Sequence, residues 1–250
     1  MVSKAANFRD GERVVLTDIP FQLGVKAVLE SPGMKQVRSD NGWLEDLVAQ
    51  AGKIGKPKAL YRSVAVHPID DDSVAADGIT FRSRVLRVNL ETVSRIFPFV
   101  ATCGLELEAW SGSVMGTLRR YVAEVIKERV LMSAVDFLGR DLEETHKPGH
   151  VAMMNPGSLP DWPTSEQKNL FALLGHATET IGVRLTDSCI MYPIKSVSGI
   201  LFPAEASFES CQLCPREPCP NRRAPYDPAL FDVKYRQREA GGDGVPSERP

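Results

Sequence analysis

Apolar positions along this chain recur at two spacings, and the change of spacing marks out the elements. Leu23, Val25, Ala27, Val28 and Leu29 run up to Ser31-Pro32-Gly33, and Trp43, Leu44, Leu47 and Val48 repeat at helical spacing toward Gly52. Each pattern predicts a short helix. Strand signals follow. Leu60, Tyr61, Val64 and Val66 lie in a run from Ala59 that Pro68 stops, and Asp70, Asp71 and Asp72 make an acidic turn. Ile79, Phe81, Ser83 and Val85 then alternate with Thr80, Arg82 and Arg84, a period of two that predicts a strand with one buried face and one arginine face. Ile96 to Cys103 is almost continuously apolar and ends at Gly104, as a fully buried strand would. Glu106 and Glu108 alternate in GLELE, as on a solvated strand edge.

The strongest helical pattern spans about residues 112–144. Val114, Leu118, Tyr121, Val122, Val125, Val130, Ala134 and Leu138 recur every three or four residues, with Arg119, Arg120, Lys127 and Glu128 on the other side and a break expected near Met132-Ser133. Residues 149–162 are rich in proline, lack periodicity and read as a loop. Thr164 and Gln167 have the spacing of a capping box, Leu170, Phe171 and Leu174 give the helix after them its buried face, and Gly182 suits the position after its end. Val183, Leu185, Asp187, Cys189 and Met191 share one face of a strand, which Pro193 stops and Val197 to Phe202 resumes. Strands and helices are mixed without regular alternation, which favours an α+β fold over a doubly wound sheet. The organisation expected is a flexible lead-in over 1–17, an α+β domain over 18–205, a cysteine-rich metal-binding loop over 206–227 and a disordered tail over 236–250.

Composition narrows the function classes. The 250 residues include 30 Lys plus Arg against 32 Asp plus Glu, a net charge of -2, and no basic face that would release counterions from a nucleic acid is evident. No apolar run reaches the ~18 residues of a membrane span. The N-terminal stretch has no apolar signal core, so the expected location is cytoplasmic.

The five cysteines are unevenly placed: Cys211, Cys214 and Cys219 lie in SCQLCPREPCPNRRAPYD, while Cys103 and Cys189 stand apart. In a reducing compartment such a trio reads as metal ligation rather than disulfides. Pro215, Pro218 and Pro220 stiffen the loop, and Arg216, Arg222 and Arg223 would offset the charge of a thiolate centre. Cys189 is the first candidate for a fourth ligand and Cys103 the second; a buried core thiol would account for Cys189 equally well. The Cys-x2-Cys spacing beside Cys-Pro favours an iron–sulfur cluster; zinc is the alternative, but it would take four thiolates or three with a histidine, and His67, His146, His150 and His176 lack ligand-like spacing. Three thiols without a metal remain the simplest other reading.

The stretch NPGSLPDWPTSEQKNLFALLG, followed by IGVRLTDSCIMYPIKSVSGILF, resembles the activation domain of cobalamin-dependent methionine synthase and its free-standing relatives, and FVATCGLELE before a long helix does so too. The likeness covers roughly residues 55–205 and is most specific over 181–202. It implies a twisted antiparallel sheet with flanking helices. It also implies a role in repair. Corrinoid methyltransferases occasionally lose an electron and stall as cobalt(II), and the activation domain docks on the corrinoid protein while an electron is supplied and S-adenosylmethionine methylates the resulting cobalt(I). Cobalamin would then be carried by the partner, a corrinoid protein or corrinoid-dependent methyltransferase.

The family's Arg-x-x-x-Gly-Tyr grip on S-adenosylmethionine, aligned on Gly157, falls on Met153 and Ser158, which counts against S-adenosylmethionine binding because methionine cannot pair with a carboxylate. By the same resemblance Asn155, Pro156 and Gly157 would line the ligand loop, Asp187 and Ser188 match the family strand, and Lys195 and Ser196 could face a corrinoid or nucleotide. A tight turn at Gly157, a buried Asp187 satisfied by backbone amides and a solvated Lys195 are the structural alternatives. Three functions follow: reductive activation of a corrinoid protein through a cysteine-bound iron–sulfur cluster, a non-redox binding module with structural zinc, or S-adenosylmethionine-dependent methyl transfer to cobalamin.

Overall fold

The computed structural model describes residues 11, 13–35, 37, 42–204, 208–219 and 222–236. Most of the expected disordered tail therefore lies outside the described residues, as does the start of the lead-in. Arg13–Leu16 of that lead-in form a strand, β1, because Val14 and Leu16 have a neighbour to pair with: β1 runs antiparallel to β2 (Lys58–Arg62), with Arg13 opposite Arg62. Helices α1 (Val25–Leu29) and α2 (Trp43–Ile54) lie between the two strands.

The expected strand from Ala59 to Val66 is two in series, β2 and β3 (Val64–Pro68), joined at the buried Ser63. Both pair antiparallel with β6 (Arg95–Thr102), and the chain turns at the aspartates to β4 (Ser73–Ala76) and β5 (Ile79–Arg82). β5 stops earlier than the alternation suggested. Ser83 caps a helix, α3 (Arg84–Asn89), by accepting a hydrogen bond at Oγ from the Leu86 amide, and a side-chain cap of this kind outcompetes a strand continuation.

GLELE is the first turn of α4 (Leu105–Ser113), not a strand edge. The long helix α5 (Thr117–His146) runs without a break through Met132-Ser133. Within the expected loop Val151–Met154 form β7, an edge strand. A 3₁₀ turn at Thr164–Glu166 leads into α6 (Gln167–Leu174), which stops at Gly175. No side-chain cap forms there, so the Thr164–Gln167 box is not made. Instead Thr164 packs against Gly157, where an added Cβ would lie 2.4 Å from Thr164 Oγ1. The short helix α7 (Ala177–Thr180) follows. The expected strand over 183–191 is a hairpin of β8 (Arg184–Leu185) and β9 (Met191–Tyr192). Ser196–Pro203 form β10.

The main sheet is antiparallel throughout. β6 sits at its centre, with β2 and β3 along one edge and β10 then β7 along the other. Side chains alternate across it: Phe97, Phe99 and Ala101 face a core shared with α2 and α5, while Ile96 and Val100 face a second core with α3 and α6. Both faces are covered, which is why β6 reads as a continuous apolar run. This is the α+β architecture expected. Among the described residues no helix is long and apolar enough to cross a membrane.

Candidate functional site

Asn155, Pro156 and Gly157 follow directly from β7. The Asn155 amide donates to Ser198 O on β10 at 2.8 Å. That contact needs glycine at 199: a Cβ there would stand 2.5 Å from Met154 O and 2.6 Å from Asn155 Nδ2. Gly157, at φ 86°, donates its amide to Trp162 O at 2.7 Å, and Pro156 is buried. Trp162 is wholly buried and meets the Phe81 ring edge-on. Asp161 accepts hydrogen bonds from Ser83 Oγ and from the Arg84 and Val85 amides, so it charges the N-terminus of α3 from across the fold. The loop is thus fixed at both ends. Beneath it Trp162 Nε1, Ser198 Oγ and Gln167 Oε1 are buried without a hydrogen-bond partner.

Lys195 and Ser196 are held close to the same end of the sheet. Lys195 Nζ pairs with Glu128 Oε2 at 3.0 Å, and Ser196 Oγ donates to Pro193 O at 2.7 Å and stands 2.9 Å from Thr102 Oγ1. Asp187 and Ser188 sit instead at the exposed tip of the β8–β9 hairpin, where Thr186 Oγ1 closes the turn against Ile190. Cys189, half-buried at φ 62°, belongs to that tip.

The cysteine loop begins at a 3₁₀ turn over Ser210–Leu213, capped reciprocally by Glu209 and Gln212. Glu209 also bridges Met153 on β7, which attaches the loop to the strand leading into Asn155. Arg222 organises the loop from within: its guanidinium donates to the carbonyls of Cys211 at 3.1 Å, Cys214 at 3.3 Å and Arg216. The Arg223 amide points at Cys211 Sγ at 3.4 Å, and its guanidinium pairs with Glu209 at 2.9 Å. Cys211, Cys214 and Cys219 are half-buried free thiols. Among the described residues no three His, Cys, Asp or Glu side chains stand close enough together to hold a metal ion. The donor chemistry of the trio suits iron or zinc, then, but the thiols are not drawn to one point. Cys103 sits apart from the trio, in the other core. It lies wholly inside the α5 core, and burial pushes its thiol up to about 12.

A cluster that periodicity assigned to solvent is buried. Lys127 is 1% exposed and pairs with Glu108 Oε2 at 3.0 Å and Glu124 Oε1 at 2.7 Å. Desolvation pushes its pKa down, but hydrogen bonds and attraction from the two carboxylates outweigh it and hold the pKa above the ordinary 10.5. Periodicity and spacing also gave no organising role to Arg222; its position three residues after Cys219 was the available signal.

Residues 152–212 match the family model for the activation domain of vitamin B12-dependent methionine synthase. Over that segment the chain is similar to the activation domain. That segment carries β7, the Pro-Gly loop, α6, the hairpin, β10 and the first cysteine of the trio. Among solved structures the chain is similar to the MetH reactivation domain bound to AdoHcy, with a TM-score of 0.54 at 13% identity, over 80% of this chain and 81% of that one. At that identity the likeness speaks for the fold. No curated protein matches the chain.

Proposed function

We propose that this protein restores activity to a corrinoid protein or corrinoid-dependent methyltransferase by docking over the cobalamin that partner holds. The family match over 152–212 carries the reading, since it falls on the loop after β7 and on β10, against which that loop is held. The chemistry is a one-electron reduction of cobalt(II) to cobalt(I), trapped by methylation from S-adenosylmethionine. Met153 packs against the core and Ser158 is exposed, so the grip implied for S-adenosylmethionine is absent at those positions and no residue here is assigned to it. A cytoplasmic setting goes with this reading. The test is gel filtration with a cob(II)alamin-loaded corrinoid protein, followed by reductive methylation watched in the visible spectrum. A complex and faster return of methylcobalamin are expected; no complex overturns the proposal.

The finer part concerns the electron. We assign its delivery to the cysteine loop, where Cys211, Cys214 and Cys219 would hold an iron–sulfur cluster once their side chains turn inward. The Arg223 amide at Cys211 Sγ supports this, because a backbone N–H donated to the sulfur stabilises a thiolate ligand. A bound cluster supplies one-electron transfer. Zinc on the same thiols would make the loop a structural clamp. Metal content of anaerobically purified protein separates the readings: iron with thiolate–iron absorption that Cys211→Ser removes supports the first, one zinc in a colourless protein supports the second, and neither metal removes both.

A further inference from the structure

A cavity lies at the opposite end of β10 from Ser196, between α3 and the C-terminal turn Phe231–Tyr235. Its volume of about 570 Å³ falls in the range of small-molecule sites. Val88, Val93, Pro148 and Phe208 give it apolar walls, and Asn89, Thr92, Ser94, Arg95 and Lys234 bring the polar groups. No Asp or Glu is among the described lining residues.

Lys234 decides what fits. Its ammonium donates to Asn89 Oδ1 at 3.0 Å and lies over the Phe208 and Tyr235 rings at 5.8 and 5.2 Å. An ammonium has three N–H donors, so two remain for the cavity. Tyr235 OH donates to the same Asn89 Oδ1 at 3.0 Å, which fills that acceptor, while the Asn89 amide nitrogen donates to the buried Met154 Sδ at 3.8 Å. Desolvation lowers the Lys234 pKa, as expected of a cation facing neutral partners. The site therefore offers N–H and O–H donors around positive charge, beside an apolar wall, with no carboxylate among its described lining residues to neutralise it.

We propose that this cavity binds a small organic anion, its phosphate or carboxylate head on Lys234 and its apolar or ring body against Phe208, Val88 and Val93. The proposal does not rest on the corrinoid reading: its charged group Lys234 lies outside the matched segment 152–212, while the wall residue Phe208 lies within it.

Calorimetry on the full chain with adenosine monophosphate, benzoate and inorganic phosphate tests it. Binding of adenosine monophosphate displaced by inorganic phosphate assigns a phosphate head, and binding of benzoate alone assigns a carboxylate. In Lys234→Met, which keeps the apolar stem, affinity should fall about tenfold, the order expected for losing a charge-assisted hydrogen bond, while Lys234→Arg keeps it. The side-chain carbon resonance of Lys234 in the unaltered protein should also move on titration, a readout that does not depend on a variant folding. No binding of the three probes, equal binding by Lys234→Met, or a resonance that stays put overturns the proposal.

Discussion

Three residues show how local chemistry is set by what the fold brings near. Lys127 reads as a solvated helix position by sequence, yet Glu108 from α4 and Glu124 from the preceding turn allow its burial. Removing one partner of such a group leaves an uncompensated charge, so Lys127→Met should cost about 3 kcal/mol in urea unfolding. The sign with pH follows from the raised pKa. The contribution is complete below the unfolded value near 10.5 and is lost as pH rises through the folded value. The stability gap between the native protein and Lys127→Met should thus stay level around neutrality and shrink in strong alkali. Cys103 differs from the other four cysteines in being wholly buried with its thiol held at about 12. A thiol reagent should leave it unmodified until the protein unfolds, while in metal-free protein the half-buried Cys211, Cys214 and Cys219 react in the native state. Gly199 allows Asn155 to lie on β10, so Gly199→Ala should destabilise by about 2 kcal/mol through the clash with Met154 O, measurable by denaturant titration.

At the scale of elements, long periodic patterns were legible and short ones were not. α5 carries enough turns for its stripe to be plain, and β6 is apolar because both its faces are covered. α3, β7 and the β8–β9 hairpin are built from segments of two to six residues, too short for a period to emerge. They exist because of partners far off in the chain. Asp161 charges the start of α3 from across the loop, and β10 provides the edge on which β7 forms. Asp161→Ala should therefore cost about 1 kcal/mol, as the loss of a helix cap does, and should raise amide exchange in α3 and in the 155–163 loop together. Ser83→Ala, which removes the α3 cap and one of the three hydrogen bonds to Asp161, should loosen α3 more than the loop. The cysteine loop follows the same rule. Prolines and cysteines announce it in sequence, but its shape depends on Arg222 satisfying the carbonyls of Cys211, Cys214 and Arg216. Arg222→Met should raise the thiol reactivity of Cys211 and Cys214 several-fold with little change in global stability.

Across the whole molecule β6 belongs to two cores at once, so neither can melt without exposing the other. Urea unfolding followed by tryptophan fluorescence and by far-ultraviolet dichroism should give coincident transitions. The α+β class and the activation-domain likeness were readable from the chain, because hydrophobic period and the specific residues over 181–202 are local properties of the sequence. The placement of chemistry was not. Asp187 and Ser188 turn out at an exposed hairpin tip, Lys195 and Ser196 are tied to Glu128 and Thr102, and the cavity around Lys234 joins residues separated by 145 positions. Composition and spacing determined which side chains are available and which segments want burial. Only the folded chain decided which donors meet which acceptors, because hydrogen bonds and ion pairs act over a few ångströms in space and are indifferent to distance along the sequence.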